Sequence, residues 1–149
     1  MGRMTERSQT YVLLQQRVEQ DLAPLLERGF RILESQCSDS PTNAAITIGK
    51  ERVRVRLSFD VRDRVGSLYV GKLSGQLPDW PNWDILNYLV RLCGFRGRLS
   101  TDLSNQQRRE MSIAQIMASD FGVLTRSLFQ FAPRIVDDTE DFVHPVPTA

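Results

Sequence analysis

With 19 basic and 18 acidic side chains among 149 residues the formal net charge is +1, so no global attraction to a polyanion operates and any electrostatic recognition must be local. The length suits one domain that buries about two thirds of its unfolded surface, and the 41% apolar content without an apolar run near the ~18 residues of a membrane span predicts a soluble, cytoplasmic protein. Cys37 and Cys93 lie far apart with no histidine nearby, which argues against a zinc site and a disulfide scaffold.

Tyr11, Leu14, Val18, Leu22 and Leu25 recur at steps of three and four and predict a helix over residues 5–28. Gly29 suits the left-handed position after its end. Pro24 predicts either a kink near Gln20 or Asp21, or a break with Pro24 opening a short second turn.

Four strands follow, over about residues 30–36, 44–49, 51–60 and 67–73. In the first, FRILES, the parity is imperfect, because Phe30 and Ile32 face opposite to Leu33. The second sets Ile46 and Ile48 on one side, and Gly49 and Lys50 connect it tightly to the third. That third strand, ERVRVRLSFD, alternates strictly: Val53, Val55, Leu57 and Phe59 point one way, Arg52, Arg54, Arg56, Ser58 and Asp60 the other. In the fourth, Leu68 and Val70 agree in parity but Leu73 does not, and Gly71 reads as a bulge. Short polar turns between them make an antiparallel meander.

Beyond a rigid corner at Pro78, Asp79, Trp80, Pro81 and Asn82 the pattern turns helical, over about 82–93 and again over 104–131. Ser104 and Gln107 form a capping box for the later helix. Met117, Phe121, Leu124, Leu128 and Phe131 are its core stripe, and Gly122, costing about 1 kcal/mol against alanine, is expected to loosen or split it. Pro133 ends the helix, and the acidic, proline-bearing stretch 134–149 reads as a flexible tail. The predicted fold class is α+β: a four-stranded antiparallel meander with an N-terminal helix and two C-terminal helices packed on one face.

No catalytic, cofactor-binding or metal residue is assigned. The only histidine, His144, sits in the tail without rigid neighbours to hold it as a base. Phosphate-cradling glycine motifs are absent, and Asp120-Phe121-Gly122 matches the kinase metal-binding triplet without any other kinase signature. The patterned feature is the arginine row. Arg52, Arg54 and Arg56, extended by Arg62, Arg64 or Lys72, either solubilise an open face or receive an acidic protein surface, for which the guanidinium fork is suited. Nucleic acid is disfavoured, since Tyr69 is the one plausible stacking residue on these strands. Trp80 and Trp83 place one ring in the core and leave the other partly exposed or, at Trp80, offer an interface anchor. A homo-oligomer is compatible with the sequence, and a small-molecule pocket between sheet and helices is the rival from another function class.

The segments GFRILES, AAITIGKERVRVRLSFDVRDR and SLYVGKL, with Gly29-Phe30 after the first helix and a valine-alternating hairpin ending in Phe59-Asp60 and Arg62-Asp63, resemble small bacterial immunity proteins of polymorphic toxin systems. The resemblance covers about residues 11–73 and rests on element order and strand pattern. It implies inhibition of a cognate toxin by tight binding, without catalysis or cofactor. Secretion chaperones of similar size offer a second analogy.

Overall fold

The computed structural model describes residues 6–37, 43–50, 53–74, 77–78, 83–84 and 103–131. The N-terminal helical pattern forms two helices, α1 (Glu6–Asp21) and α2 (Ala23–Glu27), with Leu22 as the N-cap between them and Pro24 in the first turn of α2. Proline has no N–H to contribute further along a helix but fits a first turn, so the break with a second turn is the outcome. Gly29, at φ +100°, takes the left-handed position past α2. The N–H groups of Phe30 and Gly29 return to the carbonyls of Leu25 and Leu26 at 3.1 and 3.2 Å, which closes a Schellman motif. Lys50 Nζ also donates to the Arg28 carbonyl at 2.6 Å, tying this helix end to the sheet.

The meander forms as expected: β1 (Arg31–Cys37), β2 (Asn43–Lys50), β3 (Val53–Asp60) and β4 (Val65–Ser74) pair antiparallel in chain order. Two short strands, β5 (Leu77–Pro78) and β6 (Trp83–Asp84), add to β4, pairing with Leu73–Ser74 and with Tyr69–Val70. The bulge is not at Gly71. β3 and β4 keep one register from Val53↔Lys72 to Asp60↔Val65, and the irregularity lies in β1 between Ile32 and Glu34. That shift accounts for the broken parity of FRILES, since an extra residue returns the following side chains to the other phase. Trp83 and Asp84 are extended rather than the opening of a helix over 82–93; the remainder of that stretch, the residues Arg52 and Trp80, and the tail 134–149 lie outside the described residues.

The long C-terminal helix is two helices, α3 (Asn105–Glu110) and α4 (Ile113–Phe131). The break falls at Met111–Ser112, and Gly122 sits inside an unbroken α4. Two capping boxes in series are the cause. Ser104 and Gln107 close the first, and Ser112 accepts from the Gln115 N–H at 3.2 Å while the Gln115 side chain accepts from the Ser112 N–H at 3.0 Å. Each satisfies two orphan donors of a helix start, so a new helix begins at the second box.

Val53, Val55, Leu57 and Phe59 of β3 are fully buried and alternate with half-buried Arg54, Arg56, Ser58 and Asp60. They join Leu14, Val18, Leu22 and Leu25 below α1 and α2, Ile46 and Ile48 on β2, Leu68 and Val70 on β4, and Met117, Phe121 and Leu128 on α4 in one core. Both long helices pack on this face of the sheet. Among the described residues no helix is long and apolar enough to cross a membrane.

Candidate functional site

The opposite, outer face of the sheet is organised in rows across the strands by the register. Arg31, Gly49, Arg54 and Gly71 make one row; Glu34, Thr47, Arg56 and Tyr69 the next; Ala45, Ser58 and Ser67 a third; Asn43, Asp60 and Val65 the last. Asp84 of β6 stands beside Tyr69 in the second. The face is therefore uneven in charge, with two arginines in the first row, one arginine and two acidic positions in the second, small neutral residues in the third, and Asp60 in the last. Along one strand this pattern was visible only as arginines followed by Asp60.

Arg54 has no cross-strand side chain on either flank, because its neighbours are glycines. A Cβ on Gly49 would meet Arg54 Nη1 at 2.7 Å, Arg54 Cδ at 2.8 Å and Leu33 Cδ1 at 2.6 Å. The arginine thus lies flat over the bare glycine backbone beside Leu33, its stem packed on the sheet as long cationic side chains do. Arg54 Nη1 donates to the Val53 carbonyl at 2.8 Å. Burial lowers the guanidinium's pKa from its ordinary value, the sign of a charge partly stripped of water. In the next row Arg56 Nε donates to Thr47 Oγ1 at 2.9 Å, and its Nη2 stands 3.8 Å from Glu34 Oε2. Glu34 is half exposed, so this ion pair is worth at most about 1 kcal/mol.

The remaining candidate residues are dispersed. Arg62 is exposed in the β3–β4 turn, away from the rows. Lys72 pairs with Val53, at a register position of the core-facing set. Arg64 leaves the face altogether: at φ +54° it closes the turn, its Nε donates to the Arg108 carbonyl at 2.6 Å and its Nη2 to the Met111 carbonyl, so it caps the end of α3. Tyr69 stays on the outer face beside Arg56.

A second polar cluster escaped the sequence reading. Asp120, fully buried, accepts from Arg108 Nη1 and Nη2 at 2.7 and 2.9 Å and from the Gly66 N–H at 2.9 Å. Arg108 Nη1 also donates to the Arg64 carbonyl at 3.0 Å. This bidentate clasp ties the β3–β4 hairpin to α3 and α4, and Gly66 permits the approach, since a Cβ there would stand 2.9 Å from the Phe121 ring. Its signal was an acid inside an apolar stripe, which must have a partner when buried.

A cavity of about 110 Å³ opens between α1 and α4, lined by Leu13, Gln16, Arg17, Ala114, Met117 and Ala118; it lies between helices and not between sheet and helices. Among the described residues no three His, Cys, Asp or Glu side chains gather closely enough to hold a metal ion. Comparison of the chain with protein-family models, with curated proteins and with solved structures finds no match.

Proposed function

We propose that the chain is a non-enzymatic protein-binding module whose outer sheet face receives an acidic surface of a protein partner, and that it acts as an immunity-like inhibitor of a cognate toxin. The observation that carries this reading is the setting of Arg54 and Arg56, two guanidiniums laid on the face opposite the core, one flanked by bare glycine backbone and partly desolvated. A charge already stripped of some water loses less hydration when a carboxylate arrives, and its ordered stem loses less entropy. The fork of each guanidinium suits bidentate pairing with a carboxylate. The uneven charge adds an orientation, with the partner's acidic part over the Arg54 row and its neutral or basic part towards Asp60.

The test is co-purification from native extract, identification of the partner by mass spectrometry, and measurement of its affinity for the wild type and for the double variant Arg54→Glu/Arg56→Glu. The expected result is a stable protein partner whose binding weakens with salt and is lost in the double variant while the fold persists. Recovery of no stable partner, or equal binding by the variant, overturns the reading.

A further inference from the structure

Leu33 and Arg54 converge over the backbone of Gly49. A Cβ there would meet Leu33 Cδ1 at 2.6 Å, Arg54 Nη1 at 2.7 Å and Arg54 Cδ at 2.8 Å, so the two side chains adjoin on the outer face. Gly29 is the described glycine with a left-handed φ; what Gly49 supplies is room, not a special backbone conformation. Arg31 stands across Gly49 in the same row and is exposed.

At 51% exposure Leu33 is the most exposed large apolar side chain among the described residues. An isolated exposed leucine is ordinary on a protein surface. This one forms a floor together with the guanidinium of Arg54, which donates to the Val53 carbonyl at 2.8 Å and has lost part of its water. The hydrogen bonds of a guanidinium lie in its plane and leave the faces of that plane to stacking. A leucine beside such a cation suits an aromatic ring, which gains from apolar contact and from attraction of the cation to its π-face. The fork of Arg31 suits a carboxylate next to that ring.

We propose that Leu33 and Arg54 over Gly49 form a seat for an aromatic side chain of the protein partner, with a neighbouring carboxylate of the partner paired to Arg31. The occupant is an acidic segment that carries an aromatic residue. This rests on the reading of the outer face as the docking surface for an acidic protein, and it adds what the partner presents besides charge. Stacking uses the face of the Arg54 guanidinium, so none of its existing hydrogen bonds has to be released.

Titration of the isotope-labelled full chain with the capped peptides Glu-Glu-Trp-Glu-Glu, Glu-Glu-Leu-Glu-Glu, Glu-Glu-Ala-Glu-Glu and Gln-Gln-Trp-Gln-Gln, followed by NMR, tests this. The first is expected to bind about fivefold or more tightly than the alanine peptide, and more tightly than the leucine and glutamine peptides. It is also expected to move the Leu33 methyl signals upfield, because a ring seated on them shields them. Gly49→Ala keeps the charge but drives a methyl group between Leu33 and Arg54, and Leu33→Ala removes the floor. Both variants, their fold checked by their amide spectra, are expected to lose most of the preference for tryptophan.

A tryptophan peptide that binds no better than the alanine or leucine peptide, or that leaves the Leu33 methyl signals in place, overturns the seat; salt-sensitive binding of all three glutamate peptides would then still support the acidic-surface reading. A preference unchanged in both variants overturns the seat as well. Equal binding by the glutamine peptide overturns the pairing at Arg31 and with it the acidic-surface reading, while supporting the aromatic seat. Binding of none of the peptides at low salt overturns the whole proposal.

Discussion

Two pairs of arginines occupy opposite ends of a range of environments. Arg64 and Arg108 are consumed by the fold: one caps α3 through two carbonyls, the other grips a fully buried carboxylate with both nitrogens and touches the turn carbonyl besides. Arg54 and Arg56 lie on the outer face, bonded to a carbonyl of the same strand and a neighbouring hydroxyl, with a half-exposed glutamate as the ionic neighbour of Arg56. The difference teaches that a guanidinium's role follows from what it must satisfy. Arg108 shares a site with a fully buried carboxylate, whereas Arg54 and Arg56 lie half-buried on the outer face of the sheet.

Four substitutions sharpen that contrast, beginning with the largest effect. Val55→Asp inserts a carboxylate among fully buried core residues and is expected to abolish cooperative folding, read as loss of the thermal transition; an ordinary melting curve would mean that the core face has been misplaced. Asp120→Ala removes the buried carboxylate that Arg108 and the Gly66 N–H share and is expected to cost about 3–5 kcal/mol by urea denaturation. A loss below about 1 kcal/mol would place the clasp with ordinary surface ion pairs.

Asp21 is an intermediate case and runs the other way. Its Oδ2 is buried without a hydrogen-bond partner, and Arg17 stands 3.8 Å off, within ionic reach but too far to donate. Burial pushes its pKa above the usual carboxylate value, against the opposing pull of Arg17 and Arg126. Because the folded pKa is raised, the folded state binds the proton more tightly than the unfolded chain does. The stability this contributes is present below the unfolded pKa and is lost as pH rises through the raised folded pKa. Asp21→Asn is therefore expected to be more stable than the wild type near neutral pH, by roughly 1 kcal/mol, and to flatten the fall in stability across the acidic range. Denaturation midpoints at a series of pH values check both; a variant less stable at neutral pH would show that the ionised group is well accommodated.

The smallest effect on folding belongs to Arg54→Glu, expected to shift stability by no more than about 0.5 kcal/mol while impairing partner binding. A stability loss like that of Asp120→Ala would erase the distinction between the two arginine environments.

Much of the fold was legible because its periodicities are strong. Strict alternation in β3 settles which side chains are inside, since successive side chains point to opposite faces and only the apolar set can line the core. The stripe of Leu14, Val18, Leu22 and Leu25 and the fit of Pro24 to a first turn are likewise local. The second capping box, Ser112 with Gln115, is equally local, but the apolar stripe of α4 begins beside it and masks the break. The bulge was misplaced because glycine at Gly71 suggested one, whereas the shift lies in β1 between Ile32 and Glu34, where Leu33 comes over Gly49.

What the amino-acid order determined by itself was the class of the fold, the buried side of the central strand and the presence of arginines on the other side. Only the tertiary structure decided their fates. Arg64 is four residues from Asp60, yet its carbonyl partners lie 44 and 47 residues on, and Asp120 reaches Gly66 across 54. Contacts at such separation leave no periodic trace, because they depend on where whole elements dock. The uneven charge of the outer face from Arg54 to Asp60 likewise emerges when register sets four strands side by side. Local spacing fixes a side chain's direction, and the neighbour it meets there is a property of the assembled sheet and helices.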